Sequence, residues 1–352
     1  ELFIKSNLLS LQQLNEVEVL ARALKKSFSK TALNYAFIAR LDFKHQIEAL
    51  QIKFYKFNFQ NLKPLFPDFD KAFIDFLIDY NLFPIQNEDG SIDVVTADPS
   101  DFVSINLFID SYGYKVNKIH IAEDLEIVKA IHITYGDAYL HKAVFNLFEK
   151  DPDSCAVETF TLKQLLIVGL FGVILLLLLF LFPLETIRGF NLLLNFFLLI
   201  AIAFKFLLTV IGAKSETLQK ISKVETQSIN DTDLPVYTIQ LPVYKESEVI
   251  YKLAYNLQSL NYPKHKFDVK LLIESDDQVT FDAIKNMRFP CIFDPVIIPP
   301  GQPKTKPKAC NYGLYFSKGK YLTIYDAEDI PDSDQLKMVY SLFNKLPNHY
   351  IV

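Results

Sequence analysis

Three short polar clusters carry residue types from which a reaction on a diphosphate could be built. Asp326 and Glu328, with Asp329 beside them, follow the apolar run Tyr321 to Tyr325. Residues at i and i+2 leave a strand on one face, so the pair can address a single divalent cation. Such an ion, Mg or Mn, would screen a diphosphate and stabilise its charge as it leaves. Asp276 and Asp277 follow a second apolar run, Val269 to Ile273, and suit hydrogen bonds to a base or ribose. Lys308 is placed to meet phosphate as a point charge. Each feature alone has a plainer explanation. The carboxylate spacing recurs at Asp68 and Asp70, Asp151 and Asp153, Asp231 and Asp233, and Asp332 and Asp334, mostly as loops or caps. Asp276-Asp277 alone reads as a helix cap, and Lys306 and Lys308 alone as surface charges. Their order along the chain is what separates them from these.

The elements that must position them alternate. Val236 to Leu241 reads as a strand, and a helix follows from about Glu248 to Leu260, stopped by Asn261-Tyr262-Pro263. Strands Val269 to Ile273, Ile292 to Ile298 and Tyr321 to Tyr325 come next, with a proline-rich loop, Pro299 to Lys308, and a helix, Ala309 to Phe316, between the last two. This alternation predicts an α/β sheet with the polar clusters at the carboxyl ends of its strands, where open sheets place a ligand crevice.

Upstream lie two apolar runs, Leu165 to Pro183 and Phe190 to Ile211, separated by a hinge, Leu184 to Gly189, that carries Glu185 and Arg188. Each is long enough to cross a bilayer, which takes roughly 20 residues, and backbone groups in lipid must be satisfied internally. A transmembrane hairpin over residues 162–212 follows, with the membrane as a partner. Lys142, Lys150 and Lys163 lie before or at its start and Lys205, Lys214, Lys220 and Lys223 near or beyond its end, against Arg188 alone in the far loop. That asymmetry predicts a multi-pass protein of the bacterial inner membrane with both soluble parts cytoplasmic. Three cysteines without metal-ligand spacing fit a reducing compartment, and a formal charge of −5 argues against a nucleic-acid partner.

Residues 1–150 read as a small α/β module. Ser10 caps a helix through Leu14, Asp42 takes the serine's place in a second such unit, and Leu82 to Val95 form a β-hairpin about Asn87 to Gly90. Asp98-Pro99-Ser100-Asp101 caps a further helix. Asn7 through Leu14 and Val94 through Pro99 resemble the N-terminal domain of type II secretion ATPases, a module also fused to membrane glycosyltransferases. The resemblance implies a regulatory or docking role, with a protein partner or cyclic di-GMP as its ligand. A secretion ATPase is not expected, because no Gly-x-x-x-x-Gly-Lys phosphate loop is present.

The motifs after the hairpin are Leu241-Pro242-Val243-Tyr244-Lys245-Glu246, Glu274-Ser275-Asp276-Asp277, Lys306-Pro307-Lys308-Ala309-Cys310-Asn311 and Tyr325-Asp326-Ala327-Glu328-Asp329. In this order they resemble family 2 glycosyltransferases of the GT-A fold, the group that includes cellulose and hyaluronan synthases. The resemblance implies a GT-A, Rossmann-like nucleotide-diphospho-sugar transferase domain over residues 232–352. By that resemblance Pro242, Tyr244, Glu246, Asp276, Asp277, Lys308 and Asn311 bind the donor, and Asp326, Glu328 and Asp329 the divalent metal. The implied reaction is inverting transfer of a sugar from a nucleotide diphosphate to an acceptor hydroxyl. Glu328 departs from the family's aspartate. Neither the family's acceptor-base motif nor its Gln-x-x-Arg-Trp motif occurs before Val352, and His349, the nearby candidate base, reads as a surface histidine. A C-terminal truncation is therefore expected, with the catalytic base beyond Val352. The alternative is a non-catalytic membrane receptor or scaffold with a degenerate transferase domain.

Overall fold

The computed structural model of the chain describes residues 8–65, 70–87, 89–155, 159–214, 226 and 228–346. Asn7, Asp68, Lys220, Lys223, His349 and Val352 lie outside them. The expectation of a catalytic base beyond Val352 therefore also falls outside the described residues.

The N-terminal module begins with α1 (Leu11–Leu24), where Ser10 and Gln13 form a reciprocal capping box at 3.2 and 3.0 Å. Next come α2 (Phe28–Asn34) and α3 (Arg40–Ala49). Asp42 does not cap α3. The N-cap is Ala39, and Asp42 lies in the first turn. Arg40 is buried against Asp124 at 3.0 Å, which fixes the helix start ahead of Asp42. Helix α4 (Lys71–Tyr80) leads into the expected hairpin of β1 (Leu82–Gln86) and β2 (Ile92–Thr96). Asp101 caps α5 (Phe102–Tyr112), accepting from the Ser104 N–H at 3.1 Å. Strand β3 (Val116–Ile121) then pairs in parallel with β2, and α6 (Asp124–Tyr135) and α7 (Asp137–Lys150) turn a corner at Gly136.

Two long apolar helices follow, α8 (Leu162–Leu181) and α9 (Pro183–Lys214), each long and apolar enough to cross a membrane. The break is shorter than expected. Leu184 to Gly189 is already helical, and only Phe182 interrupts the run. Proline is well placed in a first helical turn, the Thr186 hydroxyl donates to the Phe182 and Leu178 carbonyls, and Arg188 pairs with Glu185 at 3.1 Å.

The C-terminal part comprises β4 (Tyr237–Val243), α10 (Ile250–Gln258), β5 (Phe267–Glu274), α11 (Gln278–Lys285), β6 (Asp294–Ile298), α12 (Lys306–Leu314), β7 (Tyr321–Ile324) and α13 (Gln335–Lys345). Its strands form an all-parallel sheet in the order β6-β5-β4-β7. All-parallel sheets need cover on both faces. Here the N-terminal module supplies part of it. One core cluster joins Ile127, Ile131 and Tyr139 of that module to Val296, Tyr312 and Phe316, and a second places Leu125 and Val128 among the β4 and β5 side chains. The module and the sheet, expected as separate domains, are therefore one compact unit (residues 1–146 and 224–352), and residues 147–223 form the other.

A buried charge cluster crosses the same junction. Asp294 on β6 faces Lys270 on β5 at 2.7 Å and Lys30 and Lys26 of the module at 3.3 and 3.6 Å, and Lys270 also meets Asp268 at 3.0 Å. Burial opposes the Asp294 charge, but Lys270, Lys30 and Lys26 hold its carboxyl well below the usual range. Three lysines thus face two carboxylates. Lys30 is the one that yields: burial, only partly offset by Asp294, pushes its ammonium down to about 8.

Candidate functional site

Because all four strands of the C-terminal sheet run in parallel, their carboxyl ends open on one side. There lies a cleft of about 430 Å³. Pro242, Tyr244 and Glu246 reach it from the end of β4, Leu272 and Glu274 from β5, and Ile298 from β6. Lys304, Thr305 and Lys306 enter from the loop before α12 and its first residue, and Asp326 and Glu328 from beyond β7. Five of the expected site residues, Pro242, Tyr244, Glu246, Asp326 and Glu328, therefore share one cavity. Asp276 stands outside the lining and pairs with Lys304. That hydrogen bond lowers the Asp276 carboxyl and raises the Lys304 ammonium. Lys304 and Lys245 also lie over the Tyr244 ring, 5.8 and 5.2 Å from its centroid.

The other four expected residues do not line the cleft. Asp277 is buried as the cap of α11: one oxygen accepts from the Thr280 N–H at 3.1 Å and the other from the Lys245 N–H at 2.5 Å. This second bond ties the β4 loop to the β5 loop where Lys245 adopts a left-handed φ of 59°. Lys308 lies in the first turn of α12 and is buried, 2.8 Å from Glu274 and donating to the Gly301 carbonyl at 3.1 Å. Burial raises the Glu274 carboxyl, and Lys308 works against that rise. Asn311 faces away from the cleft and donates to the Ala143 carbonyl at 3.0 Å. Asp329 folds back to accept the Asp326 N–H at 2.7 Å, closing the turn after β7.

Lys306, which alone reads as a surface charge and was not among the expected site residues, pairs its ammonium with the Asp326 carboxylate at the cleft. A signal for its placement was present. Thr305 is an N-cap residue type and Pro307 suits a first turn, so α12 begins at Lys306 rather than Ala309. Within that turn Lys306 enters the cleft lining while Lys308 pairs with Glu274 in the interior.

The donor set bears on a metal. Among the described residues no three His, Cys, Asp or Glu side chains gather as a metal cage. Asp326 and Glu328 are two carboxylates in one cavity, and Mg or Mn bound with a diphosphate typically takes one or two protein carboxylates and completes its shell with phosphate oxygens and water. The residues present fit an ion of that kind.

Residues 70–138 match the family described as MshEN domain. The chain is 27% identical over 105 residues to Probable glycosyltransferase YdaM of Bacillus subtilis (strain 168), an overlap of 29% of this chain and 25% of that protein. It thus spans about a quarter of the length of that relative. Among solved structures it is similar to a mannosyltransferase from Pyrobaculum calidifontis in complex with GDP-Man and Mn²⁺, at 21% identity and a TM-score of 0.28, covering 36% of each chain. The chain therefore joins a segment like the N-terminal domain of type II secretion ATPases to one similar to glycosyltransferases.

Proposed function

We propose that this chain is part of a membrane-bound, family 2-like glycosyltransferase of the GT-A type. In this reading it transfers a sugar from a nucleotide diphosphate to an acceptor hydroxyl with inversion, toward a cell-surface polysaccharide or glycolipid. One observation carries the reading: Tyr244, Glu246, Lys306, Asp326 and Glu328, from three separate segments, line one cleft at the carboxyl ends of parallel strands. Tyr244 offers its ring face to the base, and Glu246 and Asp276 accept hydrogen bonds from base or ribose. Lys304 and Lys306 leave their carboxylate partners to meet the diphosphate. Asp326 and Glu328 hold Mg or Mn, which when bound supplies charge screening to the leaving diphosphate. Helices α8 and α9 form a bacterial inner-membrane hairpin, and the lysine-rich flanks keep both soluble parts in the cytoplasm.

Nucleoside diphosphate release from UDP- and GDP-hexoses by the full chain in lipid, with and without Mn²⁺, tests the activity. The expected result is metal-dependent release, reduced about 100-fold or more in Asp326→Ala. Equal release by wild type and variant contradicts the assignment. The pairing of Lys306 with Asp326 favours one second reading, a binding scaffold whose carboxylate is satisfied without metal. Metal-independent nucleotide binding with no release would select it.

A further inference from the structure

The cleft is not built by the C-terminal sheet alone. The loop 299–305 and helix α12, which bring Lys304, Thr305, Lys306 and Ala309 to the lining, rest on the α6–α7 corner of the N-terminal module. Gly136 forms that corner. A Cβ added there would lie 2.2 Å from the His132 carbonyl oxygen and 2.5 Å from both the Pro299 Cγ and the Tyr312 hydroxyl, so these two side chains pack against the corner only because this residue has none. One turn on, Leu140 covers Gly301: a Cβ on Gly301 would lie 2.7 Å from the Leu140 Cδ2. His132 of α6 is hydrogen-bonded through Nδ1 to the Tyr312 hydroxyl at 2.9 Å, and Asn311 donates to the Ala143 carbonyl.

These contacts continue into the cleft. Gly301, held by Leu140, accepts from the buried Lys308 ammonium, and Lys308 in turn holds Glu274, which lines the cavity. On the other side of α12, Gly313 packs against Leu272, another lining residue. Close-packed interiors transmit displacement because voids are few and side chains interlock. We infer that the α6–α7 corner, through Leu140 on Gly301 and His132 on Tyr312, is a positioning element of the nucleotide-sugar cleft. Displacing the N-terminal module changes donor affinity without touching the donor. The inference rests on the donor-site reading above.

Leu140→Ala in the full chain in lipid is the test, read two ways. Hydrogen exchange of residues 299–306 without nucleotide reports the loop directly, and titration of UDP and GDP with Mn²⁺ reports the site. Ile105→Ala is the control: it empties the same core cluster on α5, which lines no part of the cleft. The expected result is faster exchange over 299–306 and nucleotide binding weakened roughly 2- to 30-fold in Leu140→Ala. Ile105→Ala lowers thermal stability while leaving both readouts as in wild type. Unchanged affinity in folded Leu140→Ala, or the same loss in both variants, overturns the inference. A wild-type chain that binds neither nucleotide overturns the donor-site reading instead. Exchange then decides alone whether the corner holds the loop: accelerated 299–306 in Leu140→Ala keeps that coupling, and unchanged exchange overturns it too.

Discussion

Lys306 and Lys308 are two residues apart and opposite in character. Lys308 is a buried ion-pair partner, so Lys308→Ala strands Glu274 as an unpaired interior carboxylate and should cost about 3–5 kcal/mol of stability. Denaturant unfolding of the variant measures this, and a loss under about 1 kcal/mol, the range of exposed pairs, contradicts the buried role. Lys306 and Asp326 are each about half exposed, so Lys306→Ala should leave stability nearly unchanged. Its effect belongs in binding. Removing a cation that competes for Asp326 should strengthen Mn²⁺ binding to the nucleotide-free chain while weakening capture of a diphosphate. Weakened binding of both ligands would contradict the competition.

Element boundaries decided how much of the site was legible. The parallel strands and the clusters at their carboxyl ends follow from alternation of apolar runs with helices and turns, and Asp101 capped its helix as its residue type and position indicated. The start of α12 was the costly difference. Reading Lys306 to Lys308 as loop gave Lys308 a free phosphate-binding head, whereas helical phase sends it inward to Glu274. Asp277 caps α11, the plainer reading that its residue type already offered, whereas the Asn311 bond to the Ala143 carbonyl depends on a partner distant in sequence and the Asp329 bond to the Asp326 N–H on turn geometry, which residue type alone does not encode. The junction between module and sheet was hidden for the same reason, since Lys30 and Asp294 are far apart in the chain. Asp294→Asn, which leaves three lysines facing one carboxylate, should destabilise the compact unit by about 3–5 kcal/mol. His132 gives this junction an acid sensitivity. Burial, reinforced by repulsion from Lys30, pushes its imidazole down to about 3, whereas an unfolded chain protonates near 6.5. Unfolded chains therefore take up the proton first. The contribution of His132 is full above pH about 6.5 and falls as pH drops toward 3, by about 1.4 kcal/mol per unit. Unfolding followed across that window should show a shallower slope in His132→Gln, and an unchanged slope would remove His132 as the cause.

At the scale of the whole molecule, the helix pair α8–α9 interrupts the sequence between two parts that fold together, since the module and the sheet share cores. A chain that crosses a bilayer twice returns to its starting side, and a shared core requires both parts to be on that side. Cysteine labelling in oriented vesicles, with Cys155, Cys291 and Cys310 first replaced by serine, checks this: Thr186→Cys should react only from the side opposite Cys introduced at exposed Asn261. Reaction of both from one side would contradict a membrane-spanning hairpin. The central claim is the metal-dependent nucleotide site, and calorimetric titration of UDP and GDP into the full chain in lipid, with and without Mn²⁺, tests it most directly. The account predicts binding of at least one nucleotide that requires Mn²⁺ and disappears in Asp326→Ala. Failure of the folded wild-type chain to bind either nucleotide, or binding indifferent to both metal and mutation, contradicts it.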